Sequence, residues 1–486
     1  MRLRILGKNA LTYGMGNIAA RAGGFILIPL YTHALAISDY GVLATATVVI
    51  QILALCMDLG ARASIIRFTE EGERRSEMRA VIGTALAMNI TGAVVVSVVV
   101  MSIVGGSRMA GLLKLPPRLI PLILLAAAAQ SLFQNLIAYY RAKNNAMRFV
   151  VPSLLLVATL LSLSWYLIIA LHRGIFGAVE ATVGANGLLS IVVGAMVISH
   201  NGLGISRHWL RELTLYGLPV VVVMSGNLVT DAACFYYMGH YRRLSDVAIY
   251  SLGSKLAEVC SVLLIIPFQS AYEPFVFSSL GSPQLIRQMS KLFTYVLLAF
   301  AFLSCAVSCG TSLFINILAP RAYAQSYVVM LLLLPGVGFR AVYYFGEVLV
   351  HSAKKTHITA SIIGGSTIVS VIAGRLLIPT WGLYGAIMVS VLTSGTIAFL
   401  VMRKGLQNCP VPLDSFRLAL VAGLFAVFLI VSLLFHASGF WVTGPILLIS
   451  AAAGALLLRS CGFFDKDPVS MVAQFCRQTI ALLGRS

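Results

Sequence analysis

The chain is built from apolar runs of about twenty residues, which recur from one end to the other with short polar breaks between them. A run of that length is what an α-helix needs to cross the hydrocarbon core of a bilayer, which is about 30 Å thick. Only 10% of the 486 residues are charged, whereas soluble domains carry about 25%. Because so few charges cannot give a folded chain a polar surface, we predict an all-α integral membrane protein and exclude a soluble enzyme of several domains.

The apolar runs predict about fourteen transmembrane helices. Prolines lie inside several of them, and a helix bundle tolerates such prolines as kinks when neighbouring groups satisfy the freed carbonyl. We expect kinks at Pro29, Pro219, Pro267 and Pro335. The predicted spans are residues 10–33, 40–62, 80–104, 117–140, 149–171, 174–198, 214–239, 247–271, 288–315, 323–350, 357–378, 381–402, 417–436 and 440–459.

Lysine and arginine are distributed unevenly between alternate loops. About 24 of these cations lie on one side of the predicted membrane and about 8 on the other. Since cytoplasmic loops are the basic ones, we predict that both termini are cytoplasmic. The formal net charge of +19 is then mainly a signature of topology, and we do not expect nucleic acid as a partner.

A weak internal repeat relates the two halves of the chain. Thr-Tyr-Gly at 12–14 opens a span that is followed by Ser-Asp-Tyr at 38–40. Thr-Leu-Tyr-Gly at 214–217 opens a later span that is followed by Ser-Asp at 245–246. Both copies enter the membrane from the same side, because an even number of predicted spans separates them. This arrangement is typical of transporters built from parallel repeats.

The repeat predicts two lobes of six helices each and an addition at the C-terminus. The N-terminal lobe is 1–204, the C-terminal lobe is 205–404, and 405–486 holds two further spans and a cytoplasmic tail. From Pro468 onward apolar side chains recur on one helical face, which predicts an amphipathic helix on the membrane surface.

Three cations lie well inside the predicted spans, namely Arg21, Lys255 and Arg340. A charge at such a position costs about 2.5–3.5 kcal/mol on insertion scales, so it usually faces a cavity or another charge. Arg21 has no acid within one helical turn, and Asn17 lies one turn before it. Arg21 can pair with an acid of another helix, such as Asp231, or it can face a cavity and bind an anion. Its guanidinium suits phosphate because it offers paired, charge-assisted hydrogen bonds.

The second half of the chain offers two further arrangements. Lys255 precedes Glu258 by three residues, so the two side chains can pair on one helix face. The three acids Asp231, Glu258 and Glu347 are candidates for coupling transport to H⁺ or Na⁺. We expect the Lys255–Glu258 pair to be local, but it needs a polar environment and is compatible with a cavity.

Arg340 and Glu347 lie two turns apart on one face of the tenth predicted span, with Tyr343 and Tyr344 between them. A row of polar and aromatic side chains is typical of a sugar path. The same row is equally compatible with a contact between helices, so both interpretations stay open.

The sequence lacks the common motifs of catalysis. It contains no GxxxxGK[ST] phosphate loop, no HExxH, no GxSxG and no paired Cys/His spacing. Membrane glycosyltransferases and polysaccharide polymerases usually act through large external loops, and no connecting segment here is long enough to form one. We therefore expect a protein that is not an enzyme and that uses neither a cofactor nor a metal.

A set of residues between Lys8 and Phe68 forms a recognisable pattern. It comprises Asn17, Arg21, Gly24 and Pro29, the Ser38-Asp39-Tyr40-Gly41 turn, and Asp58-Leu59-Gly60 before Ile66-Arg67-Phe68. This pattern resembles the polysaccharide transporter family, which contains the Wzx-type flippases of lipid-linked oligosaccharides. That family belongs to the multidrug/oligosaccharidyl-lipid/polysaccharide exporter superfamily, and its fourteen spans and two lobes match the predicted architecture.

The resemblance implies a substrate and a location. The substrate would be an undecaprenyl-diphosphate-linked oligosaccharide, moved from the cytoplasmic to the periplasmic leaflet of the bacterial inner membrane. The product would feed the biosynthesis of a lipopolysaccharide O-antigen, a capsule or an exopolysaccharide. Expected partners are this substrate, membrane lipids, and polymerase and other polysaccharide assembly proteins.

The resemblance also implies a mechanism of alternating access through a cationic central cavity. Related lipid II flippases bind pyrophosphate with cavity arginines, and the matching position in the first span is Arg21. The expected substrate-binding residues are Arg21, Lys255, Arg340, Asn17, Tyr343 and Tyr344, and the expected ion-coupling residues are Asp231, Glu258 and Glu347.

Two alternatives remain at this stage. The chain could be a drug or metabolite cation antiporter of the same fold. Arg21 in the first span argues against cationic drugs, but Asp231 in the seventh span keeps that alternative open. A membrane glycosyltransferase or polymerase would require an acid or histidine cluster on a substantial external loop, and the sequence predicts no such loop.

Overall fold

The protein is helical throughout the part of the chain that the structure describes. The computed structural model describes residues 23–143, 145–269, 272, 276, 283–353, 355–435 and 440–460. No β-strand occurs within these residues. The predicted all-α class is therefore confirmed.

Helices of the described chain are numbered here in sequence order. Three of them continue into π-helical turns, at Val100–Gly105, Tyr166–Ala170 and Ser261–Ile265. The α-helices are α1 (23–34), α2 (Ile37–Asp58), α3 (Ala61–Arg74), α4 (Met78–Val99), α5 (Gly106–Leu113), α6 (Leu119–Ala142), α7 (Ala146–Trp165), α8 (Gly174–Asn201), α9 (Arg207–Tyr241), α10 (Leu244–Cys260), α11 (Pro283–Leu318), α12 (Gln325–Ser352), α13 (Thr356–Trp381), α14 (Leu383–Asn408), α15 (Ser415–Leu434) and α16 (Phe440–Ser460).

Among the described residues, 11 helices are long and apolar enough to cross a membrane. The number rises to 12 if the two halves of the bent helix α9 are counted together as one span. These helices confirm a multi-pass membrane protein, but the predicted number of fourteen spans is not confirmed. The first predicted span begins outside the described residues. Helix α16 spans Phe440–Ser460, and the apolar stretch found among its described side chains is Gly444–Leu456, so the fourteenth predicted span stays a prediction. The predicted tail helix from Pro468 lies outside the described residues.

Large apolar side chains are exposed along many of these helices. Ile191, Leu434 and Leu448 expose 72%, 71% and 67% of their surface. Soluble monomers rarely leave apolar surface of this extent in contact with water. Lipid is the solvent that such side chains require.

Contacts divide the chain into two compact units. One unit comprises the described part of Lys8–Ala248 together with Val371–Ala386, and the other comprises the described parts of Ile249–Ser370 and Ile387–Ser486. The predicted division into two lobes and a C-terminal addition was based on a sequence repeat, and it stays a prediction.

In the unit that contains Lys8–Ala248, the corner between α2 and α3 packs directly on α9. Leu59 and Gly60 adopt φ angles of 48° and 79°, which turn the chain between the two helices. A Cβ at Gly60 would lie 2.3 Å from the backbone of Gly217, so only glycine fits there. The Asp58 carboxylate accepts a hydrogen bond from the Arg62 N–H at 3.1 Å and satisfies a free donor at the start of α3. The Asp-Leu-Gly sequence is thus explained by the geometry of this corner.

Helix α9 is bent by 44° between its halves Arg207–Gly226 and Leu228–Tyr241. The break lies between Gly226 and Leu228, directly after the Ser225–Gly226 pair, and Gly/Ser pairs are a common cause of sharp kinks. Pro219 lies within the first half of the helix, and the kink that the sequence predicted there stays a prediction. This bend is the reason that α9 counts as a span only when its halves are joined.

A π-helical turn at Ser261–Ile265 extends α10. Pro267, two residues further on, has no N–H to donate, and its ring crowds the carbonyl four residues earlier. A wider π turn relieves that crowding. Such turns occur frequently at functional sites, and this one begins three residues after Glu258.

Candidate functional site

Six of the predicted site residues lie on two helices of one unit, the unit that contains Ile249–Ser370. We call this set the α10–α12 polar row. It consists of Lys255 and Glu258 on α10, and of Arg340, Tyr343, Tyr344 and Glu347 on α12.

Close contacts near their beginnings place α10 and α12 side by side. The Ser326 hydroxyl donates a hydrogen bond to the carbonyl of Ile249 at 3.0 Å. A Cβ at Gly253 would lie 2.6 Å from the Val329 side chain, so the glycine allows the two helices to approach closely. Because the contacts advance in the same direction along both helices, the polar side chains further along each helix meet.

The centre of the polar row is an ion pair between the two helices. The Arg340 guanidinium donates to the Glu258 carboxylate at 2.6 Å, with 46% and 30% of the two side chains exposed. The pair offsets two charges that would each be costly alone in the membrane. It also leaves part of the guanidinium uncovered, because Arg carries five N–H donors. The sequence favoured Lys255 as the partner of Glu258, whereas the structure gives Glu258 a partner on another helix.

Further along α12, Glu347 accepts a hydrogen bond from the Tyr343 hydroxyl at 2.5 Å. The same carboxylate oxygen lies 3.9 Å from Nε2 of His351. Glu347 is well shielded, with 19% of its side chain exposed. Two members of the row on α12, Tyr343 and Glu347, are therefore joined by a direct hydrogen bond.

His351 is a neighbour that was not among the candidate residues predicted from the sequence. Its spacing of four residues from Glu347 places the two side chains on one helix face. This four-residue spacing is the feature of the sequence from which the neighbour could have been predicted. The imidazole of His351 adds one more polar group to the end of the polar row.

The remaining members of the row are half-buried. Lys255 lies one turn before Glu258 on α10, and Tyr344 lies beside Tyr343, with 5.0 Å between the ring centroids. Two tyrosines at one level of a helix present aromatic surface and hydroxyl groups together. This combination suits a sugar ring, which has both apolar faces and hydroxyls.

Three predicted site residues do not belong to α10 or α12. Asp231 is exposed on α9 in the unit that contains Lys8–Ala248. Arg21 and Asn17 lie outside the described residues, and their assignment to a substrate site stays a prediction.

The polar row offers several kinds of binding group. No group of three His, Cys, Asp or Glu side chains suited to a metal ion occurs among the described residues. The row offers a guanidinium, an ammonium, two carboxylates and two phenols along two neighbouring helices. These groups can hold an anion or a sugar through charge and hydrogen bonds.

Solved structures share the fold of this chain. A mutant of the Vibrio cholerae MATE transporter VcmN aligns with a TM-score of 0.60 and 15% identity over 84% of this chain and 98% of its own. A multidrug resistance MATE family transporter of the MOP superfamily, in its inward-facing conformation, aligns with a TM-score of 0.63 and 14% identity over 82% of this chain and 97% of its own. At these identities the likeness shows the fold alone.

A match to the sequence model of a protein family identifies the family of this chain. The family described as "Polysaccharide biosynthesis protein" matches residues 6–280, which is more than half of the 486 residues. No curated protein shows a significant match to the sequence. The chain therefore belongs to the polysaccharide biosynthesis protein family and has the fold of the MATE transporters of the MOP superfamily.

Proposed function

We propose that the protein is a flippase that moves undecaprenyl-diphosphate-linked oligosaccharide units from the cytoplasmic to the periplasmic leaflet of a bacterial inner membrane. The observation that carries this proposal is the combination of a polysaccharide biosynthesis family with a transporter fold. A transporter in such a pathway must move an intermediate that carries sugar. Lipid-linked sugar units are made in one leaflet and polymerised from the other, so their transfer is the step that a membrane transporter supplies.

The α10–α12 polar row supports the proposal through its chemistry. A diphosphate needs cationic hydrogen-bond donors, and the Arg340 guanidinium suits paired contacts with phosphate oxygens. Glu258 keeps that guanidinium in place at 2.6 Å while no substrate is bound. The diphosphate would compete with Glu258 for Arg340, and Lys255 and Arg21 would share its charge. Asn17, Tyr343 and Tyr344 would contact the sugars.

The membrane potential is a sufficient driving force for such a cycle. A diphosphate diester carries about two negative charges, and moving one charge across 100 mV is worth about 2.3 kcal/mol. Export of the headgroup from a negative interior would therefore gain about 4–5 kcal/mol if both charges cross uncompensated. Alternating access through a cationic central cavity would then run without nucleotide hydrolysis. Coupling to H⁺ or Na⁺ through Asp231, Glu258 or Glu347 is an addition to this cycle.

Topology and partners follow from the same proposal. Both termini would be cytoplasmic, because the loops on their side hold most of the lysine and arginine. The flipped unit would pass to a polymerase and other polysaccharide assembly proteins on the periplasmic side. The polymer would be an O-antigen, a capsule or an exopolysaccharide.

A second candidate is a cation antiporter for drugs or metabolites. It is favoured by the fold shared with a multidrug resistance transporter and by the carboxylate of Glu347 inside a membrane helix, 3.9 Å from Nε2 of His351, because intramembrane acids often take part in ion coupling. The two candidates differ in the charge of what they carry. The α10–α12 polar row contains both cations and carboxylates, so its charges alone favour neither candidate. Identification of the transported molecule decides between the flippase and the antiporter.

Transport by purified protein in vesicles separates the candidates. A fluorescent undecaprenyl-diphosphate-linked sugar, placed in the leaflet that corresponds to the cytoplasm, should reach the opposite leaflet, and an inside-negative potential should accelerate it. An organic cation offered under a proton gradient should not accumulate. If the organic cation is exchanged for protons and the lipid-linked sugar stays in its leaflet, the antiporter is correct and the flippase is not.

A further inference from the structure

Helices α12 and α14 run parallel and in close contact within one unit. A Cβ at Gly395 would lie 3.2 Å from the Phe339 ring, and a Cβ at Gly346 would lie 2.8 Å from the Cα of Met402. Contacting positions thus advance in the same direction along both helices. Small residues at these points allow the backbones to approach, as they do in many membrane helix pairs.

A groove opens between the two helices next to these contacts. Its volume is about 570 Å³, and its walls are almost wholly apolar. Phe339 and Val342 of α12 face Ala398, Phe399 and Met402 of α14 across it. The space exists because Gly395 and Ala398 contribute little side-chain volume on the α14 side.

The length of the groove matches one leaflet of a bilayer. Along α14 it extends from Gly395 to Gln407, which is about 18 Å at 1.5 Å per residue. Half of the hydrocarbon core is about 15 Å thick. A chain that fills the groove therefore occupies one leaflet and ends near the last turns of α14.

The end of the groove at these last turns carries a positive charge. Arg403 lines it and is exposed, and no ion pair or hydrogen bond of its guanidinium is found within the part of the chain that the structure describes. Lys404, the next residue, instead donates to the amide oxygen of Gln407 at 3.3 Å. A guanidinium at the boundary of the hydrocarbon core lies at the level of lipid phosphates and suits them geometrically.

We propose that this groove binds an anionic phospholipid of the adjacent leaflet, with one acyl chain against Phe339 and Phe399 and the phosphate on Arg403. Charge complementarity and leaflet-matched length both favour this occupant. A polyprenyl carrier also ends in phosphate, but its chain is much longer than one leaflet and would extend beyond the groove. The proposal does not depend on the identity of the transported molecule.

Native mass spectrometry of the full-length protein, transferred from nanodiscs that contain equal amounts of phosphatidylglycerol and phosphatidylcholine, tests this proposal. The wild type should retain phosphatidylglycerol selectively. Arg403→Gln should lower that retention about tenfold, as expected for the loss of a charge-assisted pair. Ala398→Phe, which fills the groove, should lower the retention of both lipids. Lys404→Gln is the matched control and should stay within about twofold of the wild type.

The melting temperature of each variant, measured in the same detergent, shows that the protein remains folded. The proposal is overturned if Arg403→Gln and Ala398→Phe retain phosphatidylglycerol as the wild type does. It is also overturned if undecaprenyl phosphate, added to the same nanodiscs, is retained in place of phosphatidylglycerol and is lost in the same two variants.

Discussion

The guanidinium of Arg340 on α12 lies 2.6 Å from the carboxylate of Glu258 on α10. This ion pair joins two helices that are already in contact near Gly253 and Val329. It gives both charges a partner inside the membrane, where each alone would be costly. It also presents a guanidinium that is 46% exposed, so under the proposed function the pair would combine a structural function with binding of the diphosphate.

The two functions of this pair can be separated by removing one charge or both. We expect Arg340→Ala to lower flipping about tenfold or more and to lower thermal stability, because Glu258 is left without its partner. The double variant Arg340→Ala/Glu258→Ala should regain much of the stability but not the flipping. Flipping is measured in vesicles, and stability is measured as a melting temperature in detergent.

A matched control for these variants is Arg173→Gln, which breaks the 2.5 Å pair with Glu180 in the other unit. It should leave flipping unchanged. Restoration of wild-type flipping in the double variant would show that Arg340 does not bind the substrate.

The hydrogen bond from Tyr343 to Glu347 provides a second prediction. Tyr343→Phe removes a donor 2.5 Å from the carboxylate, and we expect a loss of about 1 kcal/mol in the free energy of unfolding. Tyr384→Phe is the control, since Tyr384 is 57% exposed. The measurement is denaturant or thermal unfolding of the purified proteins. Equal stabilities of the two variants would mean that the hydrogen bond contributes nothing.

The corner between α2 and α3 contains a position, Gly60, that should not tolerate a larger residue. Gly60 has a φ of 79° and no room for a Cβ beside Gly217, so Gly60→Ala should combine backbone strain of about 1–2 kcal/mol with a steric clash. We expect a clear fall in melting temperature or loss of folded protein. Gly364→Ala on α13 has open space around its Cβ and should be neutral or stabilising by up to about 1 kcal/mol. If Gly60→Ala melts with the wild type, the described packing of α9 on this corner is incorrect.

The loop after α6 predicts a pH dependence. Burial of Lys143 acts to lower its pKa, but hydrogen bonds with Glu73, at 2.6 Å, and with Tyr139 outweigh burial and raise the pKa overall. A raised pKa in the folded state stabilises the protein fully below the pKa of the unfolded chain, about 10.4. That contribution is lost as the pH rises through the higher folded value.

Glu73→Gln should therefore lower stability by about 0.2–1 kcal/mol at pH 8, as expected for a partly exposed pair. The difference from the wild type should vanish at strongly alkaline pH. Melting temperatures between pH 8 and pH 12 measure it, with Glu70→Gln at the more exposed Arg74–Glu70 pair as the control. A difference that grows at alkaline pH would contradict the assigned interaction.

Much of the fold could be predicted from the sequence because it depends on local pattern. Long apolar runs give membrane helices wherever they occur, and helices α2 to α15 contain the predicted spans that the structure bears out. Helix α9 needs more than this pattern, because it breaks between Gly226 and Leu228 and counts as a span only when its two halves are joined.

The site was less predictable, since its contacts join residues far apart in the sequence. Spacing along one helix predicted that Arg340 and Glu347 share a face, with Tyr343 and Tyr344 between them. The same rule would have added His351, which follows Glu347 by four residues. The partner of Glu258 is 82 residues away, and helical periodicity carries no information about it. Only the packing of α10 on α12 brings Arg340 to that carboxylate.

The most direct test of the proposed function is the rate at which purified protein moves a defined undecaprenyl-diphosphate-linked oligosaccharide across a vesicle bilayer, for the wild type, Arg21→Lys and Arg21→Ala. We expect flipping by the wild type, accelerated by an inside-negative potential. Arg21→Lys should retain part of it, because it keeps the charge without the paired donors, and Arg21→Ala should retain almost none. Wild-type rates in both variants would contradict the pyrophosphate role of Arg21, and no flipping by the wild type would contradict the flippase itself.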